Sequence, residues 1–209
     1  MKKAIIPRYA WIPIAGMLGM NMLTYFGTRI LTTDMVHHSM ETAFDRATPF
    51  IPAFTLIYVL AFAQWIICYV RIAQEGKRYC TTVFTGEMIA KALCLVIFLV
   101  YPTTLTRPEI AGDGMFEKLT ALVYRADAPD NLFPSIHCLE SWVCFRGSMH
   151  LKGIRKWYLP VVLTFSLLVF ASTLLIKQHV AADVAGGVLA AETGLFVSRR
   201  LMMRTRDEG

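Results

Sequence analysis

Long apolar runs separated by short polar clusters organise this chain. Runs at about 9–31, 50–71, 86–105, 135–150, 157–176 and 179–199 predict six membrane helices. The fourth and the last are the least apolar, which suits helices that face protein rather than lipid. Between the third and fourth runs lies a long polar stretch, about 106–134, that contains GMFEKLTALVYRAD. Apolar residues at 115, 116, 119, 122 and 123 recur there at helical spacing, so this loop is expected to carry an amphipathic helix. That helix either lies in the membrane interface or caps the bundle as an ordinary surface helix.

Composition agrees with the pattern. Of 209 residues, 56% are apolar and 17% charged, where a soluble domain carries about 25% charged. The expected class is therefore an all-α polytopic membrane protein, a single membrane domain over residues 1–209. The basic start MKKAIIPRYA looks like a signal peptide, but the apolar run after it is too long and no small-residue cleavage site follows. It reads as a retained first helix.

Charge sets the expected orientation. With both termini inside, fourteen Lys and Arg fall in inner segments and six in outer ones, with Lys91 inside a helix. This bias places the termini in the cytoplasm. The net charge of +6 is thus a topology signal, and no continuous basic surface with aromatics suggests nucleic acid. The five cysteines, at 68, 80, 94, 138 and 144, follow no zinc or redox spacing and read as core residues. A short chain without glycosylation sequons favours a bacterial cytoplasmic membrane, with the outer face toward the periplasm or exterior.

Three polar groups then fall at one membrane level, the outer one. Arg107 follows the third helix, Ser135 and His137 open the fourth, and Lys177, His179 and Asp183 open the sixth. His179 and Asp183 are four apart, which stacks them one turn apart on a single helix face. A carboxylate there can hold one ring nitrogen and leave the other free to attack. Phosphate is the natural ligand: Arg107 offers a planar fork, Lys177 a second cation, and two helix N-termini offer backbone N–H groups. One histidine attacks phosphorus and the other protonates the leaving oxygen, with no metal or cofactor required.

These residues resemble the type 2 phosphatidic acid phosphatase superfamily of membrane lipid phosphatases. Its motifs are K-x6-R-P, P-S-x-H and S-R-x5-H-x3-D. This chain has Arg107-Pro108, PSIH at 134–137, and Ser172-Thr173 followed by His179 and Asp183. The resemblance covers roughly residues 50–200. It implies that His179 is the nucleophile, that Asp183 orients it, and that His137 is the general acid and then the base. Arg107 and Ser135 would hold the phosphate.

The chain also departs from the pattern. Val100 stands at the first-motif Lys, Thr173 at the third-motif Arg, and Ile136 where Gly is frequent. These losses, with the D-x-P-x-N-x-F-P-S-x-H run from Asp127 to His137, are similar to the branch of sphingomyelin and inositol phosphorylceramide synthases. Members of that branch move a phospho-headgroup to a lipid alcohol instead of water.

The expected activity is therefore hydrolysis of a lipid phosphate, phosphatidate-like or polyprenyl, with headgroup transfer as the alternative. A transporter or receptor with a midplane site fits less well, because the polar residues cluster at one face. A vanadate-dependent haloperoxidase shares the histidine motif but not the membrane character.

Plainer roles remain open for several residues. His179 and Asp183 form a hydrogen-bonded pair in any bundle; Arg107 is also an interfacial anchor, and Lys177 also a snorkelling cation. Ser172 and Thr173 serve either as packing hydroxyls or beside the phosphate. Glu140, one turn below His137, either tunes that ring or pairs with a neighbouring helix. Glu87 and Lys91 read as a neutralising i, i+4 pair, His37 and His38 as a solvated loop pair, and Glu192 as a charge paired inside the bundle. Ala182, Gly186, Ala190 and Gly194 form a small-residue stripe that is expected to receive another helix.

Overall fold

The computed structural model describes residues 4–207 and is helical but for one two-residue strand pairing. Helix α1 (Trp11–Met22) runs through a π-helical turn (Leu23–Gly27) into α2 (Thr28–Thr32). Strand β1 (His38–Ser39) and the short helix α3 (Ala43–Ala47) lead to α4 (Thr55–Gln74) and α5 (Lys77–Val100). Strand β2 (Thr103–Thr104) pairs parallel with β1, and α6 (Met115–Ala126), α7 (Ile136–Ser148), α8 (Tyr158–Leu175) and α9 (Ala181–Asp207) complete the chain.

Four helical segments are long and apolar enough to cross a membrane: Pro52–Gln74, Lys77–Val100, Tyr158–Leu175 and Ala181–Arg204. The other two expected spans are helical in a different way. The first is interrupted by its π turn, and α7 has 13 residues, about 20 Å, against a hydrocarbon layer of roughly 30 Å. The third expected span shifts most. Its helix begins at Lys77 and ends at Val100, because Gly76 (φ 137°) turns the chain tightly after α4.

The bundle centre is α5 against α9, and both pack on α7. The small-residue stripe on α9 explains the close pairing. A methyl group at Gly194 would meet the Gly86 carbonyl and the Ala90 backbone of α5, so the two helix backbones lie nearly in contact. On the same helix, Gly187 lies against the Ser135 carbonyl and Cys138, which brings the start of α7 onto α9.

Charged residues are also buried in this core. Lys91 Nζ lies 2.8 Å from Glu87 and 2.6 Å from Glu140. The Tyr69 hydroxyl donates to Glu87 at 2.7 Å. Glu87 is thus paired as expected, and Glu140 joins the pair from α7. Glu192 is held by Arg146 at 2.6 Å and by the Trp142 indole. His38 is exposed, as expected, and its ring stacks on Tyr101 at 4.5 Å beside the strand pairing. All five cysteines are buried and free.

Candidate active site

The turn between α8 and α9 places His179. Helix α8 ends in a Schellman arrangement: Gln178 N–H donates to the Thr173 carbonyl and Lys177 N–H to the Leu174 carbonyl. Lys177 occupies the left-handed position of this motif, φ 52°, where glycine is usual. The chain then reverses, and α9 starts two residues after His179. Asp183, in the first turn, accepts from His179 Nδ1 at 3.1 Å and from Val180 N–H at 3.0 Å, both on Oδ2. The expected His–carboxylate pair is therefore formed, with Asp183 buried and the His179 side chain 9% exposed.

Helix α7 brings the second histidine. Ser135 is its N-cap, accepting from Cys138 N–H at 3.3 Å, while Ser135 N–H donates to the Asp183 carbonyl at 3.0 Å. That backbone bond locks the start of α7 to the start of α9. His137 then faces His179 with ring centroids 6.2 Å apart. Its ring is stacked on Tyr58 at 4.3 Å and flanked by Trp65. Both histidines lie on a cavity of about 360 Å³, whose wall also includes Tyr25, Tyr58 and Asp127. Met22, Phe26 and Phe62 line the same cavity and are exposed on the outside of the bundle.

Arg107 is at the site but already engaged. Its Nη1 donates to the Asp127 carbonyl at 2.6 Å and to the Tyr124 carbonyl at 3.3 Å. Its Nη2 donates to the side-chain oxygen of Gln178, and its guanidinium lies over the Tyr124 ring at 4.5 Å. Nε is the remaining edge. Among the described residues, Arg107 Nε, Gln178 Nε2, His137 Nε2 and Asp183 Oδ1 are all buried without a hydrogen-bond partner. Buried polar atoms are rarely left so, and four in one cluster mark a place where water or a ligand is required.

The remaining residues singled out in the sequence have these partners. The Lys177 ammonium is engaged by backbone: Nζ donates to the Asp45 and Thr48 carbonyls at 2.6 and 2.5 Å. Its left-handed backbone turns the side chain toward the α3 segment. The N-terminus of α9 is likewise occupied, because Ala181 N–H donates to Asp45 Oδ1 at 2.7 Å and Val180 N–H to Asp183. Burial raises the Asp45 pKa, but hydrogen bonds from Thr42 and Ala181 and the nearby Lys177 hold it below the usual carboxylate value. Ser172 and Thr173 donate to the carbonyls of Val169 and Phe170 in their own helix, so they act as packing hydroxyls. Glu140 binds Lys91, although it also reaches the cavity wall beside His137. Among the described residues, no group of three or more His, Cys, Asp or Glu is arranged to hold a metal ion.

Sequence reasoning missed Asp127, Tyr58, Tyr25 and Gln178 as site residues. Asp127 accepts from the Tyr25 and Tyr58 hydroxyls at 2.6 and 3.0 Å, and Tyr58 Oη lies 3.4 Å from His137 Nδ1. Asp127 was visible as the first residue of the run ending at His137. Tyr58 carried no signal, since an aromatic in an apolar helix looks like core. Gln178 was visible only as a polar neighbour of His179. Compared with family models, curated proteins and solved structures, the chain finds no match in any of the three.

Proposed function

We propose that this chain is an integral membrane enzyme that hydrolyses a lipid phosphate through His179. The observation that carries this reading is the facing of two histidines, 6.2 Å apart, across one mostly apolar cavity, with His179 backed by Asp183. His179 Nε2 attacks phosphorus, and the bond to the lipid oxygen breaks. His137 Nε2–H gives its proton to that oxygen. A water then attacks the phosphohistidine while His137 takes its proton, and phosphate leaves. Arg107 through Nε, and Ser135 through its hydroxyl proton, stabilise the charge on the transferring group. The apolar residues between the site and the exposed flank of α1 and α4 give a lipid chain a path from the bilayer.

In this reading the π-broken helix 11–32 and the short α7 complete a six-span bundle with α4, α5, α8 and α9. Helix α6 lies in the interface. The Lys and Arg asymmetry puts the termini in the cytoplasm and the site at the outer face of a bacterial cytoplasmic membrane.

A second reading, transfer of a phospho-headgroup to a lipid alcohol, is favoured by the charge of the cluster. Among the described residues of the cluster, Arg107 supplies the one cation and Asp183 and Asp127 two carboxylates, with Arg29 farther along the cavity wall paired to Asp130. A phosphodiester carries one negative charge and a phosphomonoester up to two, so a site poor in cations suits the diester better. One assay separates the readings. Purified protein receives lipid phosphates and phospholipids, with and without a lipid alcohol. Free phosphate without an acceptor supports the first reading, and acceptor-dependent lipid product supports the second. No product in any arm removes both.

A further inference from the structure

Five groups form a hydrogen-bonded line along the cavity wall. Arg29 Nη1 lies 3.4 Å from Tyr25 Oη, and Tyr25 donates to Asp127 Oδ1 at 2.6 Å. From the other side Tyr58 donates to Asp127 Oδ2 at 3.0 Å, and His137 Nδ1 lies 3.4 Å from Tyr58 Oη. The direction of every proton in this line follows from its chemistry. Arginine only donates and an ionised carboxylate only accepts. A phenol has one proton, and each of these phenols gives it to Asp127. The Tyr58 oxygen can then meet His137 only as an acceptor, so the proton between them belongs to Nδ1.

We propose that Asp127, acting through the Tyr58 hydroxyl, holds His137 in the Nδ1–H tautomer and thereby presents Nε2 to the reaction. The assignment of the tautomer stands on the proton count alone; its catalytic consequence rests on the phosphoryl-transfer reading above. Nε2 is the atom that is buried without a partner, on the ring that faces His179. The ring enters the first step as the imidazolium, protonated on both nitrogens; when Nε2 gives its proton to the leaving oxygen, the neutral ring that remains is already the tautomer the line stabilises. When it takes a proton from water, the imidazolium is stabilised by the Asp127 charge relayed through Tyr58, and the 3.4 Å contact shortens. Tyr58 and Asp127 are positioning residues. The arrangement parallels that of His179, which a carboxylate holds directly by the same ring nitrogen.

The test is nitrogen NMR of protein labelled at histidine, in lipid nanodiscs, with the His137 signal assigned from a His137→Gln variant. Above the ring's transition, the proton should sit on Nδ1 and Nε2 should carry the bare-nitrogen signature. Tyr58→Phe keeps the stacked ring and removes the acceptor, so the Nδ1–H preference should be lost. Turnover number should fall about 10- to 100-fold with KM changed less than about twofold. Tyr25→Phe, which leaves the Tyr58–His137 contact intact, should keep the tautomer. A proton on Nε2 in the unaltered protein overturns the proposal, and so does a Tyr58→Phe variant with unchanged tautomer or turnover number. The tautomer is read without turnover. A protein with the expected signature but no activity on any lipid phosphate or phospholipid therefore upholds the assignment and removes the phosphoryl-transfer reading.

Discussion

Lys91, Glu87 and Glu140 form one buried polar cluster; His179, Asp183, His137, Asp127 and Arg107 form another, and Glu140 stands one helical turn from His137. In the first, an ammonium is shared by two carboxylates at 2.8 and 2.6 Å, and a tyrosine hydroxyl closes the set. One atom there, Glu87 Oε2, is buried without a partner. In the second, three are, Arg107 Nε, His137 Nε2 and Asp183 Oδ1, with Gln178 Nε2 beside them. In the first, each charged group has a charged partner, and the pairing ties α5 to α7. The second leaves donors and acceptors open beside a cavity, where water or a ligand can meet them. Both clusters are built of titratable side chains; pairing separates architecture from chemistry.

The largest effect that bears on this contrast is on turnover. His179→Ala should reduce release of phosphate, or of transferred lipid, by at least about 10⁴-fold while the melting temperature stays near that of the unaltered protein. Retained turnover would break the reading of the second cluster as chemical.

The complementary experiment is on the first cluster. Lys91→Met leaves two carboxylates facing each other in the core, so stability should fall by about 3–5 kcal/mol. Adding Glu87→Gln and Glu140→Gln should restore most of it. Thermal unfolding in detergent measures both, and a neutral Lys91→Met would show that the cluster is not ionic.

Lys177 tests the boundary between the two kinds. Its bonds to the Asp45 and Thr48 carbonyls make it a latch, so Lys177→Met should cost about 1.5–3 kcal/mol. Vanadate inhibition should be unchanged. A weaker inhibition constant at equal stability would return Lys177 to phosphate binding.

Acid should loosen the same latch. The Asp45 pKa is lowered in the folded protein, so its contribution is present above the unfolded carboxylate value, about 3.9, and is lost as pH falls through the folded value. Asp45→Asn should flatten that part of the acid unfolding curve. The smallest expected effect is none at all: chelators should leave activity intact, and a loss restored by added metal would overturn metal-free chemistry.

Much of the helical framework was legible because it depends on local pattern. Runs of apolar residues located α4, α5, α8 and α9, and helical spacing located α6 between Met115 and Ala126. The π turn at Leu23–Gly27 and the early start of α5 were not legible, since apolarity does not say where a helix distorts or where it begins before its apolar stretch. The site divides in the same way. His179 and Asp183 meet as their i, i+4 spacing suggested, although His179 lies in the turn two residues before α9 and not on that helix, and the capping role of Ser135 follows from its place just before α7. Arg107 binds the Asp127 carbonyl and the Gln178 side chain, partners that its sequence position did not indicate.

The sequence by itself determined whatever is set within a few residues: helices, the i, i+4 pairs His179–Asp183 and Glu87–Lys91, and the small-residue stripe on α9. Only the tertiary structure decided which partners meet across the bundle. Tyr58 reaches Asp127 across 69 positions, Lys91 reaches Glu140 across 49, and Lys177 reaches the α3 segment across more than 120. Those contacts tie Lys177 to the α3 segment, Glu140 to Lys91, and Asp127 to the tyrosine that stacks on His137. The physical reason is range. Helical geometry fixes where a side chain points relative to its own turn, whereas the choice among distant partners depends on how close two backbones come, as at Gly86 and Gly194.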